Sequence, residues 1–247
     1  MAKPRARAKS AGPRRLPRGR HALAPEEVAR DQRARLLDAV PRVVAEKGYE
    51  AMSVADVVKA AAVSRNAFYK SFKDKQDCFA VAHEQGHERL FELLTVPCED
   101  DGAGLEERVE RSLSAGLAAL AAEPELARML FVEAPSAGEG VALAYHEWLK
   151  RYGTLLRAAA PDLPPQSIPA PEVEGVIVGG IASRVASEVL QGRARKLRDL
   201  TAPLVEYVLA FYRVSEPGPQ KGRVIALEQE PAQAAELFEA RRRQAGA

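Results

Sequence analysis

The sequence predicts an all-α protein, and its periodicity, composition and lack of long apolar stretches all support this. Apolar residues recur at helical spacing over most of the 247 residues and alternate at a spacing of two almost nowhere. Hydrophobic residues make up 47% and charged residues 28%, values that are typical of folded globular proteins. Stretches such as 176–182 are far shorter than the ~18–20 apolar residues of a membrane span, so no membrane partner is expected.

Charge is distributed unevenly along the chain. The formal net charge is +2, yet residues 1–20 carry eight Lys or Arg and no acid. Because residues 1–24 also contain helix breakers and show no apolar periodicity, we predict a disordered basic arm that meets a polyanion. Two cysteines, Cys78 and Cys98, cannot form a disulfide framework, which indicates the reducing cytoplasm.

Helix signals define an N-terminal domain over residues 25–95. Pro25 begins the first helix and Gly48 ends it, and the inner face carries Leu36, Val40, Val43 and Val44. Ser53 and Ser64 each have the character of an N-cap, and a short turn at 61–63 separates the two helices that they begin. A long helix then runs from Lys75 to about Thr95. The loop at 97–104 is the best domain boundary, since it contains Pro, Gly and acidic residues.

The second predicted domain, residues 96–214, is a bundle of longer amphipathic helices. One helix has an apolar stripe that includes Leu105 and Leu120, and another carries an aromatic stripe around Trp148. Residues 161–171 hold five prolines and cannot be helical throughout. The last major helices are predicted over 173–191 and 195–214. A polar tail, 215–247, follows and includes a weak helix at 231–243.

Two short helices joined by a tight turn, at about 53–72, have the layout of a helix-turn-helix that reads DNA. Phe68 and Phe72, four residues apart, are expected to anchor the second helix to the core. The other side chains of this helix are then left to point outward into a major groove ~12 Å wide. They are Arg65, Asn66, Ala67, Tyr69 and Lys70.

Three segments carry a resemblance to a known family. Residues 53–58 (SVADVV), 61–69 (AAVSRNAFY) and 72–75 (FKDK) resemble the DNA-binding domain of the tetracycline-repressor (TetR) family. The resemblance covers about residues 31–92, although Ala62 stands where the family often has glycine. Beyond residues 31–92, the chain resembles the family only in being an all-helical block of the right length. The resemblance implies a homodimer on a palindromic operator, joined through the last two major helices, with a ligand-sensing C-terminal bundle.

The resemblance also assigns roles to individual residues. It implies that Arg65 and Asn66 read bases and that Ala67 offers a methyl group to thymine. Ser53, Ser64, Tyr69, Lys70 and Lys75 would bind DNA as well, and contacts to phosphates set register rather than sequence. A DNA-binding regulator, most simply a repressor that responds to a ligand, needs no cofactor and is no enzyme. An architectural protein that coats DNA without specificity stays open as an alternative.

A second motif points to a different chemistry. His83, Glu84 and His87 match the H-E-x-x-H signature of zinc peptidases, which places both imidazoles on one helix face. A catalytic zinc needs a third protein ligand, for which Glu106, Glu107 or Glu110 are candidates. Two alternatives to a metal-free DNA-binding regulator therefore stay open. They are a zinc-dependent hydrolase and a metal sensor at His83 and His87.

Two weaker signals lie in the C-terminal domain. Gly175, Gly179 and Gly180 favour close helix–helix approach over a nucleotide loop, because no strand precedes them. A cluster of bulky residues is interpreted as core, with the alternative that it lines a pocket for a small apolar effector. Its members are Met129, Phe131, Tyr145, Trp148 and Tyr152.

Overall fold

Helix α1 (Pro25–Ala51) begins at a proline, as predicted, but it continues past its predicted end at Gly48 to Ala51, with an interruption at that glycine. Gly48 adopts φ +76°, a left-handed conformation that glycine reaches without a Cβ clash. The computed structural model describes residues 24–95 and 102–213, and within these residues every regular element is a helix. Three helices follow α1: α2 (Val54–Ala61), α3 (Arg65–Ser71) and α4 (Lys75–Thr95). The expected inner face of α1 is buried, which confirms the helical periodicity.

The C-terminal helices follow Gly104. They are α5 (Leu105–Ala122), α6 (Pro124–Arg128), α7 (Glu139–Ala158), α8 (Pro171–Leu190) and α9 (Thr201–Arg213). Between α6 and α7 lie a π-helical turn, Met129–Glu133, and a 3₁₀ turn, Ala134–Ser136. The proline-rich segment before α8 contains the short 3₁₀ helix Pro165–Ser167, in agreement with the expectation that it is not helical throughout.

Helix α4 links the two groups of helices. It packs against α1, α5 and α7, and one continuous apolar core extends from Leu36 in α1 to Leu204 in α9. A smaller core joins α5, α8 and α9 around Ile177 and Val208. The N-terminal helices are therefore supported by side chains from the C-terminal part of the chain.

One predicted helix starts later than expected. Residues Ala194–Leu200 form a 3₁₀ helix, and the α-helix begins at Thr201 rather than near residue 195. Pro203 explains the later start of the α-helix, because proline lacks an N–H and would interrupt a helix that had begun two turns earlier. In α9 it lies in the first turn, where that N–H has no helical partner to lose.

Several sequence predictions lie outside the described residues. They concern the basic arm before Ala24, most of the loop at 97–104, the polar tail and its weak helix at 231–243. None of the described helices is both long and apolar enough to cross a membrane.

Candidate nucleic-acid interface and internal cavity

Ser53 begins α2 with a reciprocal capping box. Its Oγ accepts a hydrogen bond from the Asp56 backbone N–H at 3.3 Å, and its own N–H donates to Asp56 Oδ2 at 3.1 Å. Asp56 also pairs with Lys47 of α1, whose Nζ lies 2.5 Å from Oδ1. The hydrogen bonds from Lys47 and then from Ser53 lower the pKa of Asp56 to about 2. The start of α2 is thus fixed to the end of α1.

Arg35 of α1 holds the turn between α2 and α3. Its guanidinium donates to the carbonyls of Ala61 and Ala62, at 2.5 and 2.7 Å. Ala62 adopts φ +52° and ψ +45°, a left-handed conformation that is strained for a residue with a Cβ. The role of Arg35 was not predicted from the sequence, because a contact across 26 residues leaves no local signal.

Helix α3 has a buried face and an exposed face. Ser64 caps it by accepting from the Ala67 N–H at 3.1 Å, and Phe68 and Phe72 are buried as predicted. On the other face Arg65, Asn66 and Lys70 are exposed, and Tyr69 is 50% exposed. The Arg65 guanidinium carbon lies 5.9 Å from the centre of the Tyr69 ring. The exposed face therefore combines two cations, an amide and a phenol.

Two predicted DNA contacts have a different environment from the one expected. Ala67 was expected to point outward, but it is 8% exposed, so that prediction is wrong. It lies one residue before the buried Phe68 and shares the face toward the core. Lys75 is partly buried, and its ammonium donates to the carbonyls of Tyr49 and Glu50, at 3.1 and 3.0 Å. Lys75 thereby caps the C-terminal end of α1.

The H-E-x-x-H residues lie where α4 meets α7. His83 and His87 are buried, and their Nε2 atoms are 3.1 Å apart. Burial lowers the pKa of His83 to about 4, and burial together with His83 lowers that of His87 to about 2. Glu84 instead accepts a hydrogen bond from Trp148 Nε1 at 2.7 Å.

A metal-binding set is not assembled around these histidines. Among the residues that the structure describes, no three His, Cys, Asp or Glu side chains come together as metal ligands. This includes the nominated Glu106, Glu107 and Glu110. The zinc hypothesis therefore finds no third ligand in this part of the chain.

An apolar cavity of about 100 Å³ lies between α4, α5, α7 and α8. Most of the side chains that line it are aliphatic, among them Leu90, Leu117 and Ile181. Of the five predicted pocket residues, Phe131 and Tyr152 line this cavity. Trp148 stacks on His87, with ring centres 5.3 Å apart, while Tyr145 packs near both histidines. Met129 borders a separate groove between α1, α4 and α6.

Comparison with known proteins connects the N-terminal helices to a family. Residues 36–82 match the family of bacterial regulatory proteins described as tetR. This match runs from the middle of α1 into α4. A relative, the HTH-type transcriptional regulator AcrR of Shigella flexneri, is 34% identical over 68 residues, which are 28% of this chain. The chain matches about a third of the length of that curated relative, since the aligned region covers 32% of it.

Solved structures extend the likeness to the C-terminal helices. The fatty acid degradation regulator FadR of Bacillus halodurans superposes with a TM-score of 0.64 at 22% identity, covering 72% of this chain and 94% of that one. The FadR of Bacillus subtilis in complex with stearoyl-CoA gives 0.63 at 19% identity, covering 72% and 98%. At these identities the likeness concerns the fold. It confirms the predicted architecture of an N-terminal helix-turn-helix followed by a helical C-terminal domain.

Proposed function

We propose that this protein is a transcriptional regulator that binds DNA in a sequence-specific manner. The observation that supports this most directly is the exposed face of α3, where Arg65, Asn66, Tyr69 and Lys70 point away from a core anchored by Phe68. A helix of this kind can enter the major groove while its buried face keeps it on the domain. Residues 25–95 would form the DNA-binding domain, and a nucleoid location in the cytoplasm follows from this role.

The contacts divide into two kinds. We assign base reading to Arg65 and Asn66, because Arg pairs best with guanine and Asn with adenine. We assign phosphate contacts to Tyr69, Lys70 and the Ser64 hydroxyl at the start of α3. The Ser53 hydroxyl donates to Asp56 Oδ2 at 2.7 Å, so Ser53 would act by holding the start of α2. Ala67 leaves the base-reading set because it is buried, and Lys75 acts mainly by fixing the end of α1.

The protein would act as a homodimer joined through α8 and α9, within residues 96–214. Val176 on α8 is 62% exposed, and Gly175 and Gly179 on the same helix leave room for close backbone approach, because a Cβ at either position would meet nothing within 4 Å. Ala202 and Ala210 are exposed small residues on α9. Two copies related by a two-fold axis would read half-sites about 34–36 Å apart, as a palindromic operator requires.

A small apolar effector would regulate DNA binding from the cavity beside α4. The cavity wall includes Leu90 and Leu94 of α4, the helix that follows the helix-turn-helix directly. An effector that binds one orientation of α4 better shifts the population toward it and changes the half-site spacing. One relative of similar fold was solved with stearoyl-CoA. In the simplest form of this mechanism, the protein represses transcription while it is bound to DNA, and the effector releases it from DNA.

Selection from a pool of random DNA duplexes tests the function. We expect enrichment of a palindrome, with Arg65→Ala relaxing preference at one base position in each half-site by roughly 1–3 kcal/mol. Lys70→Ala should weaken binding to all DNA sequences about equally, which makes it the matched control for a phosphate contact. Absence of any enriched sequence would contradict specific reading and favour the architectural alternative. Equal effects of the two substitutions would contradict the division of roles.

A further inference from the structure

Two residues with a hydroxyl group are among the otherwise apolar residues that line the cavity beside α4. They are Ser112 and Tyr152, and no charged side chain is present among the described residues that line the cavity. Ser112 Oγ already donates to the carbonyl of Leu94 at 2.7 Å. Tyr152 is therefore the lining residue whose hydroxyl proton can be redirected to a bound molecule.

The Tyr152 hydroxyl ends a buried chain of hydrogen bonds. Its Oη lies 2.7 Å from His87 Nδ1 and 3.4 Å from the His87 carbonyl, and His87 Nε2 lies 3.1 Å from His83 Nε2. We call Tyr152, His87 and His83 the relay. Burial keeps both imidazoles neutral, so a single proton lies between the two Nε2 atoms. The relay consequently has two proton arrangements, which differ in the direction of the hydrogen bond between Tyr152 Oη and His87 Nδ1 and of the one between the two Nε2 atoms.

We propose that the cavity binds a small uncharged aliphatic molecule with one acceptor oxygen, and that Tyr152 donates its hydroxyl proton to that oxygen. This inference deepens the proposed function, since it rests on the effector role of the same cavity. The aliphatic wall selects an aliphatic body, and a wall without charged side chains disfavours an ion. Size sets a further limit, because a cavity of ~150 Å³ holds benzene and this one has about 100 Å³.

Ligand binding reverses the relay. On this proposal the empty cavity has Tyr152 donating to His87 Nδ1, so that His87 carries its proton on Nε2 and donates to His83. When Tyr152 donates to the ligand, its oxygen accepts from His87 Nδ1–H, and His83 Nε2–H donates to His87. Each imidazole keeps one proton and the phenol keeps its own, so no proton is taken up or released overall. Because both histidines lie on α4, the ligand changes hydrogen bonds on the helix that follows the DNA-reading domain.

A matched pair of probes tests the polar contact. Acetone and 2-methylpropene have the same shape and only four heavy atoms each, and only the ketone has an acceptor oxygen. Binding is measured through the fluorescence of Trp148, the single tryptophan of the chain, which stacks on His87 of the relay. We expect Tyr152→Phe to weaken the binding of acetone by about tenfold and to change the binding of 2-methylpropene by less than about twofold. The matched control is Tyr145→Phe, which alters a phenol beside the same histidines outside the cavity lining.

The second measurement follows the histidine tautomers directly. Nitrogen-15 spectra of histidine-labelled protein should show His87 changing from the Nε2–H to the Nδ1–H tautomer when acetone binds, and no change with 2-methylpropene. The inference is overturned if neither probe binds, if Tyr152→Phe weakens both probes equally, or if the tautomers do not change. These measurements need no DNA, so failure to select a palindrome would overturn the proposed regulator and leave this result standing.

Discussion

Glu133 accepts a hydrogen bond from the backbone N–H of Tyr49, with Oε2 2.9 Å from the nitrogen. Tyr49 directly follows the left-handed Gly48, where α1 is interrupted, and Glu133 ends the π-helical turn between α6 and α7. Its other oxygen pairs with Arg128 at 2.8 Å. Phe131, two residues earlier, lines the cavity. This carboxylate therefore connects the end of α1 to the cavity wall.

Replacing Glu133 should destabilise the fold by leaving a buried N–H unsatisfied. We expect Glu133→Ala to lower the free energy of unfolding by about 1–3 kcal/mol, measured by urea denaturation. Glu133→Gln should lower it less, because an amide oxygen still accepts from Tyr49 but loses the charge opposite Arg128. Exposed Glu125 provides the control, and Glu125→Ala should stay within about 0.5 kcal/mol of the unmodified protein. Equal losses at both positions would contradict the role of Glu133.

Ala62 offers a stabilising substitution. Its left-handed conformation costs about 1–2 kcal/mol for a residue with a Cβ, and glycine removes this cost while adding conformational entropy to the unfolded chain. We expect Ala62→Gly to raise the free energy of unfolding by roughly 0.5–1 kcal/mol in urea denaturation. Ala34, exposed inside α1, is the matched control, and Ala34→Gly should lower the free energy by about 1 kcal/mol. A loss at Ala62 as large as that at Ala34 would be inconsistent with strain in the turn.

Local signals predicted much of the fold and the reading helix. Ser53 and Ser64 cap α2 and α3 as expected, and α4 spans Lys75–Thr95 as predicted. These features depend on residues three or four positions apart, which a sequence displays directly. The burial of Phe68 and Phe72 followed from the same spacing.

The features that sequence analysis missed depend on distant contacts. Arg35 reaches the turn across 26 residues, and Glu133 reaches Tyr49 across 84. The pairing of Lys75 with the end of α1 is also non-local. Periodicity did not settle the position of Ala67, since this small residue lies next to the anchoring Phe68 and suits either face of a short helix. The cavity lining combines four helices, and their relative placement has no local signature.

The basic arm should contribute to DNA affinity through its charge. If four of the eight Lys and Arg in residues 1–20 neutralise phosphates, the slope of log K against log salt becomes steeper by roughly 3.6. We expect a chain with these eight residues changed to Gln to lose that part of the slope in titrations between 50 and 200 mM salt. Changing eight exposed polar residues of the C-terminal helices is the control, and it should leave the slope unchanged. An unaltered slope in the Gln variant would exclude the arm from the interface.

The buried histidines should make the protein sensitive to acid. Their pKa values in the folded state, about 4 for His83 and about 2 for His87, lie below the ordinary value of 6.5 because of burial. Above pH 6.5 both imidazoles are neutral in the folded and in the unfolded chain. As the pH falls below 6.5, the unfolded chain takes up protons that the folded chain does not, so stability decreases by about 1.4 kcal/mol per pH unit for each histidine. This loss ends for His83 near pH 4 and continues for His87 toward pH 2.

Urea denaturation between pH 7.5 and 5 measures this decrease. We expect His83→Asn to remove about 1.4 kcal/mol per pH unit from the slope below pH 6.5, whereas a substitution of the exposed His146 provides the control for a histidine on the surface. If His83→Asn does not fold, proton spectra of the unmodified protein serve instead, and the imidazole signals of His83 and His87 should not move between pH 7.5 and 5. Titration of either ring in that range would show that water reaches it. The proposed relay would then be contradicted, because it requires both imidazoles to be neutral.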